Sequence, residues 1–202
     1  MVISPHFDDA VLSAGQFLAG RPNADVLTVF GGKPTPPVVE WRYDQSRGFK
    51  SPDEAVDARR AEDKAALDTL QANQIVLDYP DGQYQEATDA QAIANDIKRQ
   101  AELEDYEFIV GPLGLAHPDH EKVSHALAMV ADQLGKPVYF YEDIPARVFY
   151  PEKVRTIAMS LEFIGDGPIE TKITALECYK SQWGFDVLNE RYCLVPERFW
   201  KL

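Results

Sequence analysis

The sequence predicts an α/β fold built on a mainly parallel sheet. Short apolar segments alternate along the chain with stretches of helical periodicity, which is the pattern of βαβ units. The 202 residues suit one domain, and a chain of this size buries about 70% of its unfolded surface, enough to fold without a metal or a disulfide. Hydrophobic residues make up 45% of the chain and charged residues 26%, as in an ordinary globular enzyme. We therefore expect a single domain over residues 1–202.

The elements follow one another in alternation. Five short apolar runs are predicted as strands, at residues 2–4, 25–30, 75–77, 107–110 and 138–141. Helical spacing predicts helices at residues 9–19, 52–70, 89–102 and 118–134. Ser51 and Glu54 form a capping box at the start of the second helix. Residues 156–163 are expected to return to the sheet or to add a small antiparallel element, and residues 168–180 to form a last helix.

The stretch from residue 31 to residue 51 interrupts this alternation. It has no helical or strand period, four prolines lie in or beside it, and it contains Trp41, Tyr43 and Phe49. Loops of this length are uncommon in compact domains and are usually functional or disordered. This one follows the second strand, at the edge where open α/β sheets bind ligands. It is therefore either a mobile surface excursion or a loop that covers a substrate.

Charge and composition argue against several classes of partner. The formal net charge is −13, and so acidic a surface repels nucleic acid and anionic lipid. No apolar run reaches the roughly 18 residues of a membrane helix, and the first residues do not resemble a signal peptide. Two cysteines, Cys178 and Cys193, fit a reduced compartment better than a disulfide framework. We expect a cytoplasmic protein that neither enters a membrane nor binds nucleic acid.

Three of the four histidines lie in two acidic clusters. One cluster, Ser-Pro-His-Phe-Asp-Asp, spans residues 4–9 after the first strand; the other, Gly-Leu-Ala-His-Pro-Asp-His, spans residues 114–120 after the fourth. Loops at the carboxyl ends of two central strands meet at the switch point of a doubly wound sheet. Catalytic zinc sites use three imidazole or carboxylate ligands and leave a position for water. His6, Asp9 and His120 would make such a set.

Both clusters begin a predicted helix. Asp8 and Asp9 lie at the positive end of the first helix, where adjacent side chains leave in different directions, so that one can bind a metal while the other stands beside it. A proline at position 118 suits the first helical position, which makes His117 the N-cap and places His120 in the first turn. A helix N-terminus disfavours imidazolium, so His120 is expected to stay neutral and available as a ligand.

These motifs resemble those of the LmbE-like/PIG-L family of zinc N-deacetylases. The first cluster is similar to the family's opening His-Pro-Asp-Asp-Glu signature, and the second to its second metal motif. Weaker likenesses complete the order along the chain, at residues 59–62, 79–82 and 172–182. Phe7 stands where the family has proline and Ala10 where it has glutamate, and neither position binds the metal in the family. The missing glutamate weakens the support around the metal ligands.

The resemblance implies a Rossmann-like three-layer α/β/α fold and the removal of an acetyl group from an N-acetylglucosamine-type amide. The partner would be a small N-acetylated sugar or a glycoconjugate. The resemblance further implies one zinc ion per chain on His6, Asp9 and His120, with Asp8 as general base and His117 beside the substrate carbonyl.

Further residues receive roles, of which those of Arg59 and Asp81 are implied by the same resemblance. Asp119 would orient His117 or raise its pKa, against the effect of the helix terminus. Arg59 and Asp81 match positions that contact sugar hydroxyls or neighbouring substrate groups. In the long loop, Trp41 and Tyr43 would either stack on a sugar face or pack within the loop.

Two other functions stay open at the level of sequence. A zinc amidohydrolase acting on a non-sugar acyl amide would use the same metal chemistry. A ligand-binding homologue without catalysis is favoured by Ala10 and disfavoured by the retention of both acid–histidine motifs. Metal content together with acetate release from small N-acetylated sugars discriminates the three. The oligomeric state is likewise left open.

Overall fold

The computed structural model describes residues 1–38, 41–144, 146–152, 160–182 and 193–201. Within them the strands are β1 Val2–Ser4, β2 Asp25–Thr28, β3 Asn73–Val76, β4 Ile109–Pro112, β5 Val138–Tyr141, β6 Ser160–Ile164 and β7 Arg198–Lys201. The helices are α1 Asp9–Ala19, α2 Arg42–Ser46, α3 Pro52–Thr69, α4 Ala90–Leu103, α5 Pro118–Val130, α6 Ala146–Phe149 and α7 Ile169–Leu176. Two 3₁₀ turns, Gly82–Tyr84 and Ala131–Gln133, complete the described elements.

One sheet runs through the molecule in the order β3-β2-β1-β4-β5-β7-β6. The first five strands in this row are parallel, whereas β7 is antiparallel to both β5 and β6. From β1 the chain builds outward to β2 and β3, then crosses to the other side of β1 and builds β4 and β5. The strand order therefore reverses between β1 and β4, and their carboxyl ends border the crevice in which such folds bind ligands.

Alternate residues of the strands feed two separate cores. Ile3 and Leu27 pack with α4 and α5 on one face of the sheet. Their neighbours Val2 and Val26 pack with α1, α3 and α7 on the opposite face. Because both faces are covered, successive strand residues are apolar rather than alternating with polar ones. The predicted α/β fold with helix layers on both sides of a mainly parallel sheet is confirmed.

The boundaries differ from the sequence prediction in places. The strand β7 was not predicted, because four residues with charged ends give too short a pattern, although Phe199 at its centre is fully buried. Residues 160–163 take the antiparallel alternative within β6, while residues 156–159 lie outside the described part of the chain. The last helix ends at Leu176 instead of residue 180. Ser51 caps α3 as predicted, its hydroxyl accepting the Glu54 N–H at 3.1 Å.

Among the described residues, no helix combines the length and the apolar character needed to span a bilayer.

Helix α1 is broken in its middle. Ala14 has φ −139° and ψ 23°, which are not helical values, so the backbone N–H groups that follow lose their intrahelical acceptors. The Glu197 carboxylate replaces those acceptors, taking hydrogen bonds from the backbone N–H of Gln16 at 2.8 Å and of Phe17 at 2.9 Å. A carboxylate thereby caps the second half of α1 from inside the protein.

Lys172 binds the end of the first half of α1, on the other side of the break. Its ammonium donates to the Leu12 carbonyl at 2.7 Å and to Glu197 at 2.7 Å, and both charged side chains are fully buried. Gly15 leaves room for the lysine, since a Cβ there would lie 2.7 Å from Lys172 Cγ. The pair fixes the first half of α1, which begins with the acidic residues of the first cluster.

Lys172→Ala is expected to lower the free energy of unfolding by about 3–5 kcal/mol, because it leaves the Glu197 carboxylate buried without a cation. Chemical denaturation followed by circular dichroism measures the change. The matched control is Lys64→Ala, which removes an exposed partner of Asp68 on α3 and should change stability by less than about 1 kcal/mol. Equal losses in the two variants would show that the buried pair does not support α1.

Candidate metal centre and active-site cleft

The two acidic clusters meet at the carboxyl edge of the sheet, in a cleft of about 600 Å³. In the loop after β1, two hydrogen bonds of the Ser4 side chain hold the turn that brings the first cluster to this edge. The Ser4 hydroxyl donates to the His6 carbonyl at 2.6 Å and accepts the Ala10 N–H at 2.9 Å, which turns the chain directly from β1 into α1. The loop after β4 turns through two positive φ angles, 83° at Gly114 and 60° at Ala116. The second cluster thereby faces the first.

Three predicted ligand side chains converge. His6 Nδ1 lies 3.1 Å from Asp9 Oδ2, and His120 Nε2 lies 3.0 Å from the same oxygen. The Asp9 oxygen also accepts the backbone N–H of His6 at 2.8 Å, which fixes the carboxylate. Asp9 and His120 are buried, and His6 is partly exposed toward the cleft. A nitrogen, an oxygen and a second nitrogen thus face one point.

His117 stands at the same point from the exposed side. Ring nitrogens of His6, His117 and His120 all lie within 4.8 Å of one another. The Nδ1 atom of His117 accepts the Asp119 backbone N–H at 3.3 Å, so the proton of the neutral ring is on Nε2. One donor atom from each of His6, Asp81 and Asp119 likewise lies within 4.8 Å of the others, so geometry alone permits this set or the three imidazoles as well as the predicted set with Asp9.

Each buried face of the two ligand histidines has a carboxylate behind it. His6 Nε2 lies 3.2 Å from Asp119 Oδ2, which also accepts the Gly82 N–H at 2.9 Å. His120 Nδ1 lies 2.6 Å from Asp143 Oδ1. The other oxygen of Asp143 accepts the backbone N–H groups of residues 114 and 115 at 2.8 and 3.0 Å. Carboxylates in this position orient imidazole ligands and raise their basicity.

The aspartates of the cluster stabilise positive charge on its histidines. Burial disfavours a charged imidazole at His6 and His120, yet the surrounding aspartates outweigh it and raise both pKa values, that of His120 to about 10. Burial likewise opposes ionisation of Asp9, but His120 and His6 lower its pKa. The expectation that the helix terminus keeps His120 neutral is therefore wrong for the metal-free site, because two carboxylates exceed the effect of the helix dipole.

The pKa values of Asp8 and His117 shift in the direction opposite to those of Asp9 and of the other two histidines. Burial and the charge of Asp9 raise the pKa of Asp8 to about 6. Burial, with the neighbouring imidazoles of His6 and His120, lowers the pKa of His117. A set of two imidazoles and one aspartate surrounded by further carboxylates is the donor chemistry of a divalent cation such as zinc. The residues therefore fit a metal site.

Comparison with known proteins identifies the family. A family model described as PIG-L, GlcNAc-PI de-N-acetylase, matches residues 1–131, which include both metal motifs. The chain belongs to the PIG-L family. No curated protein matches it.

Solved structures of deacetylases resemble the whole chain. A deacetylase in complex with teicoplanin, from the teicoplanin pathway, is 28% identical with a TM-score of 0.83, over 99% of this chain and 96% of that one. The A40926 pseudoaglycone deacetylase Dbv21 is 27% identical with a TM-score of 0.81, over 99% and 95%. N,N'-diacetylchitobiose deacetylase from Pyrococcus horikoshii shares the fold alone, at 17% identity and a TM-score of 0.60 over 92% and 71%. The predicted family is confirmed, and the chain is an enzyme of the N-deacetylase type.

Of the residues predicted to contact substrate, some line the cleft and one does not. Arg59 and Asp81 line the cleft. Trp41 lies outside its lining and packs with Phe7, Val56 and Tyr84, so the structure favours the alternative in which it packs within the loop. Tyr43 does line the cleft, from the first turn of α2.

The long loop is fastened by a buried carboxylate. Asp44 in α2 is fully buried and pairs with the Arg59 guanidinium at 2.6 Å, while its other oxygen accepts the Tyr84 hydroxyl at 2.7 Å. Tyr43 donates from its hydroxyl to Gln182 at 2.5 Å. In its described residues the stretch is therefore packed onto the cleft rather than a separate excursion.

Two features of the site were not predicted. The Asp119 carboxylate contacts His6, which was not predicted. The predicted relation to His117 is also present, since the Asp119 backbone N–H donates to the His117 ring and the Asp119 charge raises the pKa of His117, against the larger effects of burial and of the other imidazoles. Asp143 supports His120 and was missed altogether. A signal for it exists, since Asp143 follows β5 at the same carboxyl edge that was used to find the two clusters.

Asp143→Ala is expected to weaken zinc affinity about 10- to 100-fold, because the His120 ring loses the group that orients it. Competition with a chromogenic chelator measures the affinity. Asp132→Ala, at an exposed position after α5, is the control and should leave it unchanged. Unaltered affinity in Asp143→Ala would remove this residue from the metal site.

Proposed function

We propose that the chain hydrolyses the acetamide of an N-acetylglucosamine-type sugar, free or in a glycoconjugate, and uses one zinc ion held by His6, Asp9 and His120. The observation that carries the proposal is the convergence of His6 Nδ1 and His120 Nε2 on one Asp9 oxygen, at 3.1 and 3.0 Å, beside Asp8 and His117. The sugar substrate is supported by the resemblance to deacetylases of glycopeptides, at 27–28% identity along the chain.

Asp9 is preferred to His117 as the third ligand. Its oxygen already faces both ligand imidazoles, and it is buried, whereas His117 is exposed on the open side of the cleft. Zinc bound by such a set lowers the pKa of a coordinated water to about 7 and polarises a carbonyl oxygen. The roles left for this chain's own side chains are to move the proton and to stabilise charge on the substrate.

Asp8 is the proposed general base. It lines the cleft beside Asp9, and the hydrogen bond to its carboxylate comes from its own backbone N–H rather than from another side chain among the described residues. A free carboxylate in this place takes the proton of the attacking water. It then returns the proton to the nitrogen as the amide C–N bond breaks, leaving acetate and a free amino sugar.

His117 is the proposed donor to the substrate carbonyl. Because its Nδ1 accepts the Asp119 backbone N–H, the proton on Nε2 is available to an oxygen in the cleft. Such a donor stabilises the negative charge that develops on the carbonyl oxygen, a contribution of about 3–4 kcal/mol in comparable sites. Asp119 contributes through two separate contacts, its backbone to His117 and its carboxylate to His6.

Arg59 and Asp81 are the proposed contacts to sugar hydroxyls or neighbouring substrate groups. Both line the cleft, and Arg59 is held in place by Asp44 of the long loop. Tyr43, also in the lining, takes the position against the sugar that Trp41 would have taken, and Trp41 supports the loop from beneath. Binding of the sugar thus depends on the order of the loop.

Single substitutions separate these roles. Asp9→Ala and His120→Ala should lose both zinc and activity. Asp8→Asn and His117→Ala should keep zinc, with turnover lowered about 10²–10⁴-fold for Asp8→Asn, the usual scale of general acid–base catalysis. Metal analysis of the purified variants and acetate release from small N-acetylated sugars provide the two measurements.

The outcomes distinguish the alternatives. Loss of zinc in His117→Ala with retention in Asp9→Ala would replace the proposed ligand set by three imidazoles. A zinc-loaded wild type that releases acetate only from non-sugar amides would leave the metal assignment standing and overturn the sugar substrate.

A further inference from the structure

The carbonyl groups of the loop between β1 and α1 all have hydrogen-bond partners, but one partner is unusual. The carbonyls of His6 and Asp8 accept from Ser4 Oγ at 2.6 Å and from the Leu12 N–H at 2.9 Å. The carbonyl between them, that of Phe7, accepts instead from the hydroxyl of Tyr179 at 3.1 Å, a residue 172 positions away. The peptide that leads into Asp8 is therefore oriented by the turn after α7.

The Tyr179 hydroxyl has a second oxygen within reach. Asp63 Oδ1 lies 2.8 Å from it, in addition to the Phe7 carbonyl. A tyrosine hydroxyl has one proton, and a carbonyl oxygen only accepts. One proton shared between two acceptors gives two weakened bonds, whereas both contacts are full hydrogen bonds if the Asp63 carboxyl donates to Tyr179 while Tyr179 donates to Phe7.

The other oxygen of Asp63 is consistent with this direction. It accepts the Gln74 side-chain N–H at 2.7 Å, so the proton of the carboxyl is left on the oxygen that faces Tyr179. Asp63 is fully buried and has no ion pair with any residue that the structure describes. Burial raises the pKa of Asp63 to about 7, and the nearby Asp8 charge adds to the rise against the hydrogen bonds from Gln74 and Tyr179.

We propose that Asp63 carries a proton in the folded enzyme and donates it in a hydrogen bond to Tyr179, which frees the tyrosine proton to hold the Phe7 carbonyl. Asp63 is then a positioning residue for Asp8, acting through two side chains in sequence. The inference rests on the proposed role of Asp8 as the base, since it is the Phe7–Asp8 peptide that the relay orients.

Three variants test the relay. Asp63→Asn keeps it, because the amide oxygen accepts from Gln74 and the amide NH₂ donates to Tyr179, so kcat should stay close to that of the wild type. Asp63→Ala removes the donor and lowers kcat about 10- to 100-fold, the scale of a small misplacement of a reacting group. Tyr179→Phe should lower kcat to a similar extent. KM and zinc content are expected to change little in all three.

An ionised Asp63 makes the opposite prediction. In the wild type the tyrosine proton would then go to the Asp63 carboxylate, whereas the Asp63→Asn NH₂ donates to Tyr179 and directs that proton to the Phe7 carbonyl. Asp63→Asn would then change the Phe7 contact, and its kcat would depart from that of the wild type. That result would overturn the proposal.

Infrared spectroscopy provides a readout that does not require turnover or the alanine variant to fold. At about pH 6 Asp8 is also partly protonated, so the band is read from the difference between the wild type and Asp63→Asn, which should show the carbonyl stretch of a protonated carboxylic acid. The band should still be present in Asp8→Asn. Glu62→Gln, a change at the adjacent carboxylate that accepts from Ser181, should leave the band in place. Absence of the band from the wild type would overturn the proposal even if acetate release is normal. A wild type with the band and without acetate release would instead refute the proposed function.

Discussion

The structure is organised around an excess of negative charge at the meeting point of β1 and β4. Five carboxylates and three imidazoles gather there, namely Asp8, Asp9, Asp81, Asp119, Asp143, His6, His117 and His120. Carboxylates so close together in a cleft of low dielectric disfavour one another's ionised form unless a cation lies among them. Without a metal, protons supply this positive charge, since the aspartates raise the pKa values of His6 and His120. A divalent ion would supply the same positive charge while both imidazoles stay neutral. The aspartate behind each imidazole, Asp119 for His6 and Asp143 for His120, would then orient the neutral ring.

Much of the fold serves to hold that edge in place. The first half of α1 points its positive end at the cluster, and the break at Ala14 separates it from the second half. Lys172 lies at the carbonyl end of the first half and Glu197 at the N–H end of the second, so each charge matches the helix terminus that it meets. Both residues come from the last part of the chain. The described residues of the C-terminal segment therefore support the candidate metal site, although none of them belongs to the proposed ligand set.

The sequence predicted the sheet and the convergence of the two acid–histidine clusters, but not the residues that surround and support them. Buried parallel strands and helix-start signals predicted the alternation of elements, and two acid–histidine clusters at strand ends predicted the convergence of His6 and His120. Three classes of feature lay beyond it. The charge state of His120 depends on Asp9 and on Asp143, and the position of Asp143 after β5 shows that it lies at the carboxyl edge but not that it contacts His120, 23 positions away. Strand β7 exists because β5 offers it an edge to pair with. Tyr43 lines the cleft while Trp41 packs against Phe7, Val56 and Tyr84, and these contacts lie with residues outside the loop, which the spacing of the two aromatics does not encode.

One face of α3 connects these peripheral features. Arg59, Glu62 and Asp63 are spaced three and four residues apart and therefore point the same way. Arg59 binds Asp44 of the substrate loop, Glu62 accepts two hydrogen bonds from Ser181, and Asp63 contacts Tyr179. A shift of α3 would consequently move the loop, the turn after α7 and the peptide before Asp8 together. None of its residues belongs to the proposed ligand set, yet the helix fixes the positions of Asp44, Ser181 and Tyr179 relative to one another. With the roles proposed for Arg59 and Asp8, α3 therefore links the residue assigned to the sugar with the residue assigned to proton transfer.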